Sequence, residues 1–470
     1  MSRRKLAAAA GVALLAVVAL PAVAQAHGLV GRTDLPIPTW LFSWAAAIVL
    51  VASFAALAVL WPRPQLQEPR ERPLFRVPVV VDVVCALLGV ALYVAVVYAG
   101  FAGTTTPTAN LAPNVIYVHF WVGMVIFSVL FGDVFRAFNP WLAVARAGGW
   151  VASRVRPGAQ PLRSYPEWLG NWPAVAGILG FAWLELAYTK KSDPELLACL
   201  ALAYGIVQLG GMAVFGVEKW SRRADPFGVY FALFSRLSAF VRHDRVLHLR
   251  RFLTGAPALP VLPGTVALLT TAIGTTTFDG FSNGSTWASI NPDVSSFFSD
   301  LGAEQAAAHE WAATVGLIGC VLAVSGFFWL GIRGMQTVGQ GHTARELAGR
   351  FGHTLIPIAL AYAVAHYFSL LVFQGQSAAY LISNPLGHGS NIFGTANTRI
   401  DYNLISTNGI WYVQVGALVC GHVTGLVLAH DRALAIYRRV REATRSQYWM
   451  LVVMVGFTSL GLWLLSAVNT

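Results

Sequence analysis

Charge is what this chain has least of: Asp, Glu, Lys and Arg make up 11% of its 470 residues, against about 25% in an ordinary soluble domain. With 56% of the residues hydrophobic, too few polar side chains remain to cover a water-facing globule, so that class is excluded. Lysine is scarcer still: only Lys5, Lys190, Lys191 and Lys219 among 32 basic residues. The basic residues cluster in a few loops, so the formal charge of +11 speaks of membrane topology and not of nucleic acid as a partner. The four cysteines, Cys85, Cys199, Cys320 and Cys420, all fall in apolar stretches. Spread in this way they form neither a disulfide framework nor a zinc-ligand spacing, and they read as small hydrophobes. HExxH and paired-histidine motifs are missing too, which removes the short zinc signatures.

What the chain does have is apolar length. Ten stretches, at 40–61, 77–100, 114–135, 172–189, 195–217, 257–275, 309–332, 353–373, 409–430 and 449–467, approach or exceed what crosses roughly 30 Å of hydrocarbon. The expected fold is therefore all-α: a polytopic transmembrane helix bundle, one multi-span membrane domain over 27–470 embedded in the lipid bilayer. Ahead of it, "MSRRKLAAAAGVALLAVVALPAVAQA" (1–26) has the basic, apolar and Ala-x-Ala regions of a cleaved signal peptide. Its apolar run is long, so an uncleaved first helix is the alternative. Segment 226–241, "PFGVYFALFSRLSAFV", is short and interrupted by Arg236, which suggests a helix lying on the membrane surface.

Orientation follows from counting. With His27 outside, the inner loops 62–76, 136–163, 219–251, 333–350 and 431–446 hold 25 basic residues and residues 3–5 hold three more. Only Arg32, Lys190, Lys191 and Arg399 are left outside. The bias places the protein in the cytoplasmic membrane with both mature termini extracytoplasmic. Two outer loops are long, 276–308 and 374–408. The first contains no Lys or Arg but several aromatic residues, and it is expected to fold back over the outer mouth of the bundle. No repeat of fixed period is present, which weakens an inverted-repeat transporter.

Ionisable groups inside spans are costly and hence site candidates. At about 1.5 Å per residue, His119, Glu185 and His366 lie about 8, 6 and 11 Å in from the outer ends of their spans. His309 and Glu310 open the seventh span, and Asp279 follows the sixth. Imidazole and carboxylate from five helices suit a divalent metal, zinc or copper, held by His119, Glu185, His309 and His366, with Asp279 and Glu310 as acids orienting a nucleophile. The alternative is isolated structural contacts; His309 and Glu310 also fit a helix start. Cleavage after Ala26 would expose His27, whose amine and ring can chelate copper if His119, His309 or His388 completes the set.

Deeper polar groups are Asp82, Asp133, His353, His422, His430 and Asp431. Asp133 beside Arg136 reads as a helix-end ion pair, and His430 with Asp431 as an interfacial anchor. Buried His422 is either hydrogen-bonded to a neighbour or part of a proton path. Haem between helices is disfavoured, since His353/His366 and His422/His430 are offset by about 140° and 80° around their helices. Gly-rich "GIVQLGGMAVFG" and "GALVCGHVTG" provide close-packing faces, and Gln208 and Gln414 interhelical hydrogen bonds.

"AHGLVGRTDLPIPTWLFSW", "TTTFDGFSNGSTW", "HTLIPIALAYAVAHYFSLLVFQGQ" and "WYVQVGALVCGHVTGLVLAHDRAL" resemble actinobacterial multi-pass membrane proteins that carry the name fenitrothion hydrolase. The resemblance runs along nearly the whole chain. It implies hydrolysis of an organophosphorothioate triester, with release of a nitrophenol, and it carries over no active-site residue. A bound divalent ion would suit that chemistry by acidifying water and polarising the phosphoryl group. Three readings stand at this point: an outward-facing hydrolase of small apolar esters, a metal-ion or proton-coupled transporter of an ionic substrate, and an envelope assembly or scaffold subunit.

Overall fold

The computed structural model describes residues 39–155, 157–158, 160–338 and 341–467. The leader and His27 lie outside the described residues. The chain is mostly helical, and a helix stands in each of the ten apolar stretches: α1 (Thr39–Leu60), α2 (Val79–Ala102), α3 (Leu111–Phe131), α5 (Trp172–Leu186), α6 (Pro194–Phe215), α9 (Thr265–Ser282), α11 (Gln305–Gln336), α12 (Leu355–Gln374), α13 (Thr407–Ile436) and α14 (Tyr448–Ala467). Between them run α4 (Pro140–Val155), α7 (Val217–Arg223), α8 (Pro226–Ser235) and α10 (Ser285–Asp300). Six helical segments among the described residues are long and apolar enough to cross a membrane: α2, α3, α6, α11, the run containing α12, and α13. Their outward faces are apolar as well. On α2, Val80, Leu87, Leu88 and Leu92 are all more than half exposed, which is stable against lipid and not against water.

Hydrogen bonds between connections sort them into two ends. At one, Thr104 N donates to Leu386 O, Tyr117 Oη to Lys191 O, and Thr189 to Glu310. At the other, Asp431 accepts from residues 61–67 and Arg432 donates to Pro257 O. The first end gathers the arginine-poor connections and the second the arginine-rich ones. The arginine-rich end also carries an antiparallel sheet of order β1–β3–β2, from β1 (Glu71–Arg76), β2 (Phe240–His243) and β3 (Val246–Arg250). Its β1 register slips between Pro73 and Phe75, where proline lacks a ladder donor. Arg242 pairs with Asp82 and His243 with Glu71, each at 2.5 Å, tying the sheet down.

Three segments differ from the sequence expectation. First, 226–241 is not a surface helix: Phe227, Tyr230, Phe231 and Phe234 of α8 are buried. Phe227, Tyr230 and Phe231 pack edge-on or stacked with Phe120, Trp121 and Phe135, and Phe234 packs edge-on against Tyr230. Arg236, which suggested interruption, lies one residue past the helix end, where it donates to Ala258 O.

Second, the sixth helix is shifted. Pro257, Pro260 and Pro263 keep 257–264 irregular, because proline lacks the donor and restricts its predecessor. The helix begins at Thr265 and runs on to Ser282. Third, 276–308 is not an irregular loop but the end of α9, then α10, then the start of α11. The other connection, 374–408, holds a short helix at Ala378–Ser383 followed by turns.

Candidate functional site

The site depends on α9 being helical through a polar run. Thr275 and Thr276 donate their hydroxyls to Ala272 O and Thr277 donates to Ile273 O, so each hydroxyl proton is spent within the helix. At Gly274 a Cβ would stand 2.5 Å from Val321 Cα, so only glycine lets α9 lie this close to α11. The helix also packs on α5 and α12. Asp279, three residues from its end, is thereby carried into the bundle.

There it meets His366 of α12, Nε2 to Oδ2 at 2.9 Å. The imidazole is 22% exposed and the carboxylate 14%, so the pair is neither sealed nor open. Buried Tyr367 adjoins Asp279. Glu185 of α5 is a second acid beside Asp279, with Lys191 as the cation acting on both. Its buried Oε2 has the indole Nε1 of Trp121 as its nearest donor, and the two do not close a hydrogen bond of good geometry. A buried donor and acceptor that face each other in imperfect register are seldom kept in native interiors. Trp121 and Tyr117 belong to the part of α3 that runs as a π-helix, Val115–Gly123, a conformation found disproportionately at functional sites.

The remaining candidates are placed elsewhere. His119, on the same π-helical stretch, turns to Gly375 O at 3.2 Å and leaves its Nδ1 buried and unpartnered. His309 bonds Ser295 Oγ through Nδ1 at 3.1 Å. Glu310 accepts from Thr189 N and Oγ1 at 3.0 and 2.6 Å, pinning the turn after α5 to α11. Among the described residues no group of three or more His, Cys, Asp or Glu is arranged to hold a metal ion. The predicted set thus resolves into one His–Asp pair with a neighbouring acid, plus three separate contacts.

A second group of unfinished contacts lies further along α12. Tyr362, one turn from His366, faces the ring of His422 at 6.1 Å between centroids. His422 is fully buried, bonds Leu418 O through Nδ1 at 2.8 Å, and has no partner for Nε2. His353, at the far end of this helix, also has an unpartnered Nε2. Tyr367 and Trp121 escaped the sequence reading because aromatic residues are common in every span; the adjacent "HY" of "AVAHYFS" was the only local signal. No family model, curated protein or solved structure matches the chain.

Proposed function

We propose that this is a proton-coupled integral membrane transporter whose proton-binding group is the Asp279–His366 pair with Glu185. The helices of all ten apolar stretches lie across the cytoplasmic membrane in this reading, with the pair in the outer third and the arginine-rich end in the cytoplasm. The observation that carries it is the pair itself: a His–Asp contact inside a helix bundle, with a second acid, Glu185, alongside. Two carboxylates against Lys191 and one imidazole leave net negative charge whenever the imidazole is neutral, which a proton on His366 or a small cation offsets. Tyr362, His422 and His353 supply further polar groups towards the opposite end, as a relay requires.

The test is proton movement in proteoliposomes loaded with a pH-sensitive dye, under imposed pH and cation gradients. Flux above empty liposomes, abolished by Asp279→Asn and by His366→Gln, is the expected result. Absence of flux under every gradient overturns the reading.

A second reading uses the same pair. A carboxylate that orients an imidazole is the base half of a hydrolytic site, and the organophosphorus triester chemistry implied by the resemblance would use His366 to activate water. Release of a nitrophenol from an aryl phosphorothioate, lost in His366→Gln, would favour it over transport.

A further inference from the structure

The opposite end of the bundle holds a cavity of about 270 Å³, just under the roughly 300 Å³ at which small-molecule pockets begin. Its walls are apolar, with Val229, Leu233, Leu259 and Leu268 among them, but four guanidinium groups line it: Arg136, Arg222, Arg223 and Arg236. Asp133 is the one acid in the lining. Nearby acids do not neutralise the set. Glu218 is shared among Arg136, Arg146 and Arg222, and Glu167 holds Arg223. The guanidinium of Arg236 donates to Ala258 O and among the described residues has no carboxylate within ion-pair distance, Asp133 acting on it from further off.

The amides in the lining are already committed. Asn139 Nδ2 donates to Asp225 and Asn171 Nδ2 to Arg223 O. The donors left to face a guest are therefore guanidinium N–H groups, on side chains whose shared carboxylates hold them in place. Planar, always-charged forks converging on one small space match the oxygens of a phosphate. We infer that this cavity binds a phosphate-bearing anion, either free phosphate or the head group of an anionic lipid. Nothing in this depends on proton movement at Asp279.

Calorimetric titration of the detergent-purified full chain tests it, with two probes at fixed ionic strength: inorganic phosphate and short-chain phosphatidylglycerol. Saturable binding is expected, weakened about tenfold or more by Arg236→Gln, since a charge-assisted hydrogen bond is worth at least one such factor. Arg236→Lys should weaken it less, and loss of the exposed Arg438 (Arg438→Gln) should leave it within twofold. Binding of phosphate alone assigns the cavity to a free anion, and binding of the lipid alone assigns it to a head group. If neither probe saturates, or if Arg236→Gln and Arg236→Lys both bind as the unaltered protein does, the inference is wrong. Helical circular dichroism of each variant separates lost binding from lost fold.

Discussion

Asp431 and Asp279 are both withdrawn from water, at opposite ends of the bundle, and their surroundings differ in kind. Asp431 is 0% exposed and accepts four hydrogen bonds, from Trp61 Nε1, Gln65 N, Leu66 N and Gln67 Nε2, at 2.5–3.0 Å. Its neighbour His430 is held by Trp61 O and Gln447. Every lone pair there has a use, and the use is to fold the 61–67 turn onto α13. Asp279 has the imidazole of His366, the hydroxyl of Tyr367, a long contact from Asn283 Nδ2 at 3.4 Å and, beside these, a second acid in Glu185. A carboxylate held by backbone and amide donors behaves as a structural clamp, whereas one paired with an imidazole beside a second acid retains capacity for chemistry.

Removing each carboxylate is the most direct way to break this contrast. Asp431→Ala leaves four donors without their acceptor, at about 1–3 kcal/mol for each buried group that finds no other. A loss of about 3 kcal/mol or more in unfolding free energy is expected in detergent, with flux per folded molecule unchanged. A loss below about 1 kcal/mol would show that the turn does not rely on Asp431. Asp279→Asn should do the reverse: stability within about 1 kcal/mol of the parent, because an amide can still bond His366, and proton flux reduced at least about tenfold.

The two ends also differed in how far the sequence disclosed them. His430 and Asp431 were legible as an anchor because both sit at the end of an apolar run among arginines. The ten helices were legible from apolar length alone. Asp279 was assigned to a loop because "TTTFDGFS" looks polar, and only its helical geometry lets those hydroxyls vanish into backbone bonds. Depth along a span was readable, but the face was not. His119 and Glu185 share the outer third, yet His119 points to Gly375 and Glu185 to Asp279. The aromatic core around α8 was hidden by its short length and by Arg236.

Glu185 sharpens the comparison from the other side. A buried carboxylate whose one donor is in imperfect register costs stability, so Glu185→Leu should raise unfolding free energy by about 1 kcal/mol while lowering flux. Gain of stability with loss of function is the trade expected of an active group. A destabilised variant would place Glu185 with Asp431 among the clamps.

The smallest effect belongs to Glu218 at the arginine-rich end, and it can be read against pH. Burial opposes its ionised form, but the hydrogen bonds and charges of Arg146 and Arg136 outweigh burial and hold the carboxyl down to about 2, from an ordinary 4.5. A folded-state value below the unfolded one means that ionised Glu218 stabilises the protein above pH 4.5, and that this is lost as pH falls from 4.5 towards 2. The side chain is 52% exposed, so solvent screening keeps the contribution under about 1 kcal/mol. The gap in melting temperature between the parent and Glu218→Gln should therefore be constant above pH 5 or so, close on acidification, and shrink in high salt. A gap as large as that of Asp431→Ala would mean that the shared ion pairs around the cavity, and not the satisfied carboxylate beneath them, hold this end of the bundle together.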